Sequence, residues 1–261
     1  MFDYHLHSNV SFDSTCPPED IVREAERQGL SEICFTDHYD FNDIPTGNHD
    51  FFTLEDYAAA YDHISSEALK VRRGVEFGMT PWNMRELSEL TSRRRFDFVI
   101  GSVHYVGGHD PYNKEFWMIN GIDTGFEKYL LQTLECVKAH DSFDVLGHLT
   151  YVCKSDHSPT HEPLCYEDYS DVCDEIMKIL VSKGKGMEIN TSGVIKVGDY
   201  LPSRAFIKRF RELGGEIVTV GSDSHNTERV GQYIDGALEI VKDVFGYVCT
   251  FEDRKPIYHK L

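Results

Sequence analysis

DYHLH (residues 3–7) places two histidines at alternate positions near the start of the chain, and GSDSH (221–225) repeats that spacing with an aspartate and a histidine. Alternate side chains of an extended strand point to the same face, so His5 and His7 share a face, as do Asp223 and His225. We interpret the two stretches as strand ends that each supply half of one metal site. A single pair of this kind is more often a polar patch, so the interpretation depends on the remaining sequence.

The size and charge of the chain exclude some classes of protein. Its 261 residues suffice for one barrel or doubly wound domain, and we expect a single domain over residues 1–261. With 26 Lys and Arg against 44 Asp and Glu, the formal net charge is −18, which argues against a protein that binds a long nucleic acid. A small anionic substrate stays compatible with this charge, because bound divalent cations reverse the local polarity of a site.

Cysteine usage and hydropathy predict the compartment. The seven cysteines are odd in number, scattered, and include no CxxC, a pattern typical of reduced thiols. No apolar run approaches membrane-spanning length, and the N-terminus does not have the pattern of a signal peptide. We therefore expect a soluble cytoplasmic protein that does not bind membranes.

Strand and helix patterns alternate along the whole chain. Seven apolar segments are predicted as strands, at 2–6, 31–36, 71–77, 96–103, 144–147, 186–189 and 216–220. Helices are predicted at 18–28, 53–70, 84–94, 126–140, 166–182, 203–213 and 232–245, with a short closing strand at 248–251. Such alternation implies an α/β fold with a parallel sheet, and this many units predict a barrel.

Two predicted connections are longer than a turn requires, at 105–124 and 149–165. Both leave the carboxyl ends of predicted strands, and loops of this length often act as lids or binding walls. We predict that they wall the site, although their aromatic side chains serve equally well as the core of a packed loop.

Eight residues of metal-binding type lie at, or just past, the carboxyl ends of predicted strands. In a parallel barrel these ends form one rim, where catalytic residues gather. One histidine at a strand end is more often a satisfied polar residue than a ligand, but six histidines and two carboxylates on one rim predict a metal centre. The eight residues are His5, His7, His38, Glu76, His104, His148, Asp223 and His225.

The residue types indicate which ions this centre binds. Imidazole and carboxylate suit zinc, iron or manganese, and the absence of nearby thiolates argues against a structural zinc site. Because eight ligands exceed what one ion can use, a carboxylate such as Glu76 is expected to bridge two ions. Asp3 shares a strand face with His5 and His7, and is either an acceptor that orients a ligand imidazole or an ordinary strand-end aspartate.

Six segments carry a family resemblance: DYHLHSNVSFDS (3–14), FTDHYD (35–40), RGVEFG (73–78), IGSVHYV (100–106), LGHLTYV (146–152) and GSDSHNTERVG (221–231). They resemble the successive metal motifs of the PHP (polymerase and histidinol phosphatase) superfamily. Their order and spacing are most similar to those of the monofunctional histidinol-phosphate phosphatases. The resemblance implies a distorted (β/α)7 barrel, TIM-barrel-like, with three divalent metal ions at its carboxyl rim.

The resemblance also implies which residues bind each ion. The first ion would be held by His5, His7, Glu76 and Asp223, the second by Glu76, His104 and His148, and the third by Asp13, His38 and His225. Asp13 lies in the loop after the first strand, where some family members have a histidine, so no strand end signals it. An oxygen ligand there could alter the identity or occupancy of the third ion.

The implied reaction is hydrolysis of a phosphate monoester. Water activated by the ions would be the nucleophile, and Glu76, Asp223 and His225 would be the catalytic residues. A rim histidine, an aspartate or a water could protonate the leaving alkoxide, and the sequence does not choose among them.

Recognition of the phosphate is where the chain departs from the family pattern. The resemblance implies arginines in the loops after His148 and Asn190, but this chain has Lys154 and Lys196 there. A lysine meets a phosphate as a point charge, without the bidentate fork of arginine. Arg229 is a further candidate for the phosphate, or else a surface or helix-capping arginine.

The leading functional prediction is hydrolysis of L-histidinol phosphate to L-histidinol and phosphate, in histidine biosynthesis. One alternative is a PHP phosphoesterase that acts on another small phosphate ester or a nucleotide. An alternative of another class is an inactive, metal-stabilised scaffold. The oligomeric state is left open.

Overall fold

The fold is taken from a computed structural model that describes residues 1–41, 49–158 and 160–261. Its strands are β1 (Phe2–Leu6), β2 (Glu32–Phe35), β3 (His38–Phe41), β4 (His49–Phe51), β5 (Lys70–Gly78), β6 (Phe98–Ser102), β7 (Val145–Leu146), β8 (Gly186–Asn190), β9 (Val218–Gly221), β10 (Tyr247–Glu252) and β11 (Lys255–Lys260). Its helices are α1 (Pro18–Arg27), α2 (Leu54–Tyr61), α3 (Met84–Arg93), α4 (Lys114–Asn120), α5 (Ile122–Ala139), α6 (Ser170–Ser182), α7 (Gly193–Val197), α8 (Arg204–Glu212) and α9 (Ile234–Val244).

A parallel barrel organises the described part of the chain. Seven strands follow one another in the order β1-β2-β5-β6-β7-β8-β9. The first and last strands meet at their carboxyl ends, because the His7 backbone N–H donates to the Ser224 carbonyl and the Asp223 N–H donates to the His5 carbonyl, both at 2.8 Å. The predicted α/β barrel of the TIM-barrel type is thereby confirmed.

The second barrel strand is longer than the sequence pattern predicted. β2 pairs with β5 from Glu32 opposite Lys70, and β3 pairs with the same strand from His38 opposite Glu76. The register is unchanged across the break at residues 36 and 37, so β3 continues β2. This extension places His38 beside Glu76 at the rim, and the antiparallel β4 covers its outer edge.

The two ends of the barrel have different interiors. At the amino end an apolar cluster fills the space, formed by Tyr4, Cys34, Phe98, Ile100, Val145, Cys249 and Phe251. At the carboxyl end the buried side chains include most of the predicted rim histidines and carboxylates. Apolar packing therefore stabilises one end, and the polar residues are concentrated at the other.

Three predicted elements differ from the structure. The helix predicted at 53–70 is wrong after Tyr61, where α2 ends, because the Arg73 guanidinium donates to the carbonyls of Tyr61 and Ile64 and so satisfies the end of the helix. The helix predicted from residue 166 begins at Ser170, after a short 3-10 turn. The predicted closing strand forms β10, which pairs with β11 in a separate antiparallel hairpin.

The structure also bears on the cysteines and on membrane insertion. All seven cysteines are free thiols. Among the helices of residues 1–41, 49–158 and 160–261, none has both the length and the hydropathy needed to cross a membrane.

Candidate metal centre

Glu76, near the end of β5, lies at the middle of the rim cluster. One carboxylate oxygen, Oε1, is 2.9 Å from Nε2 of His148 and 3.3 Å from Nε2 of His104. The other, Oε2, is 3.1 Å from Nε2 of His5 and 3.1 Å from Nδ1 of His38. A carboxylate with imidazole nitrogens on both of its oxygens is placed to bridge two cations.

The two stretches that share the alternating pattern meet beside this carboxylate. Nε2 of His7 is 3.3 Å from Oδ1 of Asp223 and 3.4 Å from Oε2 of Glu76, and Nε2 of His5 is 3.8 Å from Oδ1 of Asp223. Asp223 has a φ of 54°, a left-handed conformation that is uncommon for residues other than glycine. Strand closure between β1 and β9 thus brings the two half-sites together.

Asp13 joins the cluster from the loop after β1. Its Oδ2 atom is 3.0 Å from Nε2 of His225 and 3.6 Å from Nε2 of His38. The rings of His38 and His225 both stack on His7, at centroid distances of 4.3 and 4.1 Å. The structure therefore brings together all nine residues expected to bind metal.

The donor atoms fit divalent cations. Six buried atoms of the cluster make no hydrogen bond to a described residue, although several lie close to one another: Nε2 of His5, Nε2 of His7, Nδ1 of His38, Oδ1 of Asp40, Oε2 of Glu76 and Nδ1 of His148. A buried polar atom left without a partner costs about 1–3 kcal/mol, and a bound cation is one way to satisfy several at once.

Several sets of three donor atoms in the cluster each lie within 4.8 Å of one another, so each could hold an ion. They are His5, His7 and Asp223; His5, Glu76 and His148; His7, His38 and His225; and His38, Asp40 and His104. All the donors are nitrogen or oxygen, the set that suits zinc, iron or manganese at a reactive site.

The electrostatics keep the central carboxylates ionised. Burial alone raises the pKa of Glu76, but the surrounding imidazoles, led by His5 and His104, hold it well below its usual value. Burial also raises the pKa of Asp223, but the charges of Lys154 and His5 outweigh burial and hold this pKa well below its usual value. Both groups are therefore available as anionic ligands at neutral pH.

The imidazoles respond to the same charges in opposite ways. Burial lowers the pKa of His38, but Glu76 and Asp13 raise it to about 9. Burial, with the adjacent His225 and His38, holds the pKa of His7 well below its usual value. Carboxylates that favour a proton on His38 also favour a cation in its place, and a neutral His7 is ready to bind one.

Two carboxylates that support the ligands were missed in the sequence. Glu188 on β8 is buried, with Oε1 2.6 Å from Nδ1 of His5. Asp40 on β3 is buried too, with Oδ2 2.9 Å from Nδ1 of His104. Glu188 lies on the same strand face as Asn190, and Asp40 on the same face as His38, and both of these partners were named from the sequence. The alternation of side chains along a strand is therefore the signal that could have found the two carboxylates.

Of the two roles left open for Asp3, the structure does not give it that of an acceptor for a ligand imidazole. Its carboxylate accepts hydrogen bonds from the backbone N–H of Ser222 at 2.9 Å, the hydroxyl of Ser222 at 2.6 Å and the N–H of Gly231 at 2.9 Å. Asp3 therefore anchors the segment that carries Asp223, and Glu188 is the carboxylate that contacts the His5 ring.

A cavity of about 420 Å³ opens above the cluster. Both long loops contribute to its wall, with Tyr105 and Tyr112 from the first and Tyr151 from the second, as predicted. Phe12, which is 60% exposed, lies at the edge of the cavity and contacts the His38 ring.

All three candidates for phosphate binding line this cavity. Nζ of Lys154 is 2.6 Å from Oδ2 of Asp223, and Nζ of Lys196 is 2.7 Å from both carboxylate oxygens of Asp156. The Arg229 guanidinium has no hydrogen bond or ion pair with any described residue. The three side chains thus form a basic wall of the cavity, next to its acidic, histidine-rich floor.

Comparison with known proteins agrees with this arrangement. Residues 3–192 match the PHP domain family. A probable histidinol-phosphatase of Clostridium acetobutylicum is 32% identical over 255 residues, covering 97% of this chain and 98% of the relative. A histidinol-phosphatase of Lactococcus lactis is 32% identical over 263 residues, covering 97% and 95%.

A solved structure gives the same result. The crystal structure of histidinol phosphate phosphatase from Lactococcus lactis, in complex with zinc, L-histidinol and phosphate, has a TM-score of 0.83 to this chain. The two sequences are 30% identical, and the match covers 98% of each chain.

Proposed function

Because this chain belongs to the PHP domain family, we propose that it is a metal-dependent phosphatase that converts L-histidinol phosphate to L-histidinol and phosphate, a step in histidine biosynthesis. The observation that carries the proposal is the convergence of unpaired imidazole and carboxylate atoms on Glu76, beneath a cavity with basic side chains. The full-length similarity to two histidinol-phosphatases supports the choice of substrate.

We propose that the site binds three divalent ions. The first uses His5, His7, Glu76 and Asp223, the second Glu76, His104 and His148, and the third Asp13, His38 and His225, all of which lie in the cluster described above. When bound, such ions supply a nucleophile near neutral pH and offset negative charge on the phosphoryl oxygens.

The basic wall would hold the phosphate. We assign this role to Arg229, Lys154 and Lys196, which line the cavity from three separate segments, Lys196 from α7 and the other two from short 3-10 turns. Unlike the two lysines, Arg229 has no partner among the described side chains, so its guanidinium can donate to two phosphate oxygens at once. The lysines contribute point charges that counter the acidic floor.

The reaction transfers the phosphoryl group to water. A new P–O bond forms to water, the P–O bond to the carbon chain breaks, and the departing alkoxide takes a proton to leave as an alcohol. Because Glu76 and Asp223 have depressed pKa values, they act as ionised catalytic ligands and not as proton donors. His225 lines the cavity at the rim, where it would face the phosphate.

The shape of the cavity supports a small substrate. A volume of about 420 Å³, enclosed by two loops, accommodates one phosphorylated metabolite and not a long nucleic acid. We place the activity in the cytoplasm, for which the seven free thiols give support.

A kinetic comparison of substrates tests the proposal. With zinc-reconstituted protein, kcat/KM for L-histidinol phosphate is expected to exceed that for other small phosphate monoesters and for nucleotides. The His148→Ala variant should lose activity by about a hundredfold or more, since it removes a ligand. A His140→Gln variant is the matched control, because His140 is a buried histidine outside the cluster that bonds to the Thr80 carbonyl.

Each of the other outcomes would indicate a different function. Preferred turnover of another ester would keep the metal chemistry and discard the role in histidine biosynthesis. Absence of turnover, with zinc bound, would favour the metal-stabilised scaffold.

A further inference from the structure

Glu188 joins three strands of the barrel beneath the metal cluster. It lies on β8 and is 1% exposed. Its Oε1 atom is 2.6 Å from Nδ1 of His5 on β1, and its Oε2 atom accepts the backbone N–H of His148, just after β7, at 2.9 Å. The side-chain amide of Asn190 donates to Oε2 as well, at 3.3 Å.

These contacts require a group that accepts on both of its oxygens. An ionised carboxylate has no donor of its own, whereas a glutamine amide presents an NH2 group on one side. A glutamine in this position would therefore point its NH2 group at the N–H of either the His5 ring or the His148 backbone, so that two donors would face each other. The chemistry of the site thus selects glutamate over its closest isostere.

The short carboxylate contact also decides the tautomer of His5. Nδ1 of His5 is 3.4 Å from the Asn190 amide nitrogen but 2.6 Å from the Glu188 carboxylate. Because the carboxylate only accepts, the ring proton lies on Nδ1. Nε2 is then the ligand nitrogen, and it is the atom that lies 3.1 Å from Glu76.

Gly221 leaves room for this carboxylate, and Gly147 leaves room for the side chains beside it. A Cβ atom at Gly221, the last residue of β9, would lie 2.7 Å from Oε1 of Glu188 and would also press on the His5 side chain. A Cβ at Gly147 would lie 3.6 Å from Oε2 and would collide with its neighbours Ser102 and Ile100. At the level where Glu188 meets His5, the packing of the barrel interior thus depends on the absence of a side chain at Gly221.

We propose that Glu188 is a positioning residue that fixes His5 and His148 as ligands of two different ions. Partners that hold the second nitrogen of a ligand histidine fix its orientation and raise its basicity, and their loss typically costs about 10–100-fold in metal affinity. Glu188 performs this for the His5 ring directly and for His148 through its backbone. The inference rests on the proposed metal site, and not on the identity of the phosphate ester.

The test is zinc affinity, measured by competition with a chromogenic chelator for the wild type and the Glu188→Gln variant. We expect the zinc dissociation constant to rise by about 10–100-fold while the number of ions bound at saturation stays the same. Glu32→Gln is the matched control: Glu32 is also a buried carboxylate inside the barrel, but it accepts from Tyr4 and Arg72 at the opposite end. Its variant should lower the melting temperature and leave zinc affinity unchanged.

The outcomes separate this inference from the proposed function. Unchanged zinc affinity in Glu188→Gln would reduce Glu188 to a structural role, and one fewer ion at saturation would make it a ligand. Both results overturn the inference and leave the phosphatase proposal intact. Failure of the wild type itself to bind zinc would instead contradict the proposed function.

A second measurement needs no variant of Glu188 that folds. In zinc-loaded wild-type protein labelled with 15N-histidine, long-range 1H–15N spectra report which ring nitrogen carries the proton. We expect His5, assigned with a His5→Gln variant, to be protonated at Nδ1. Protonation at Nε2 would overturn the inference, because Nδ1 would then have no proton to donate to Glu188.

Discussion

Three basic side chains face the cavity, and they differ in what already engages them. Lys154 pairs with Asp223 and Lys196 with Asp156, while Arg229 has no side-chain partner among the described residues. Among these single residues, Arg229 should therefore contribute most to the binding of the phosphate.

Replacing Arg229 should weaken catalysis more than folding. Charged hydrogen bonds are worth about 1.5–3 kcal/mol, so Arg229→Gln is expected to lower kcat/KM for L-histidinol phosphate by about 10–100-fold. Steady-state kinetics at saturating zinc measure the change. Arg85→Gln is the control, because Arg85 lies on the exposed face of α3 in a pair with Glu89. A change below twofold in Arg229→Gln would assign the phosphate to the lysines alone.

Freeing Lys196 from its pair with Asp156 should strengthen substrate binding slightly, whereas replacing Arg229 should weaken it. Asp156 is exposed and Lys196 is partly buried, with 60% and 26% of their side-chain surface accessible, and ion pairs near the surface contribute at most about 1 kcal/mol. Asp156→Asn frees the ammonium for the phosphate, so KM should fall by up to about fivefold. The inhibition constant of inorganic phosphate should fall in parallel. A higher KM would show that Asp156 positions Lys196 and does not compete for it.

The site residues were predicted from the sequence to different extents, for a physical reason. Ligands at strand ends were found because strand ends share one rim, and Asp13 came only from the family resemblance because a loop has no periodicity. Glu188 and Asp40 were missed although alternation places them beside considered residues. A buried charge within an apolar strand, such as Glu188 between Met187 and Ile189, is itself a signal of a paired or ligating group.

At the scale of elements, the barrel strands were predictable and the end of α2 was not. Strands buried on both faces are apolar runs that the sequence shows directly. The helical periodicity after residue 53 gives no sign that Arg73, on the following strand, donates to the last carbonyl of α2, that of Tyr61. A tertiary contact thus ends a helix that local propensity would continue.

This contact makes Arg73 important for stability. Arg73→Met removes the guanidinium from the carbonyls of Tyr61 and Ile64, and leaves Tyr61 with only the backbone N–H of Ile64 as donor among the described residues, so the free energy of unfolding should fall by about 2–3 kcal/mol. Urea denaturation of the zinc-loaded protein measures it. Arg23→Met, at an exposed pair with Asp20, should cost less than about 0.5 kcal/mol. Equal losses in both variants would mean that the helix end is satisfied in another way.

At the scale of the whole molecule, the barrel has an apolar end and a metal-binding end that depend on different forces. The apolar cluster and the outer helices are stable without a cation, whereas the atoms around Glu76 that lack a hydrogen bond need one for their stabilisation. β1 contributes to both ends, with Tyr4 in the apolar cluster and His5 in the metal centre, so we expect residues 1–261 to unfold as one domain.

Removing metal should lower stability without abolishing the fold. A ligand at about a thousand times its dissociation constant adds roughly 4 kcal/mol to the free energy of unfolding, so chelated protein should melt at a lower temperature, in one cooperative transition. Calorimetry of chelated and zinc-reconstituted protein, with far-UV circular dichroism of both, tests this. An identical melting temperature would contradict metal binding by the native state, and loss of the circular dichroism signal would contradict an independent apolar end.

The central claim is that three ions on one rim carry out the hydrolysis, and a zinc titration of activity tests it most directly. Chelated protein receives zinc in steps, and turnover of L-histidinol phosphate is measured at each step. We predict no turnover without zinc, a plateau near three equivalents for the wild type, and a plateau near two equivalents for Asp13→Ala, whose third site lacks its oxygen ligand. Full turnover in the chelated protein, or a plateau at one equivalent, would contradict the account.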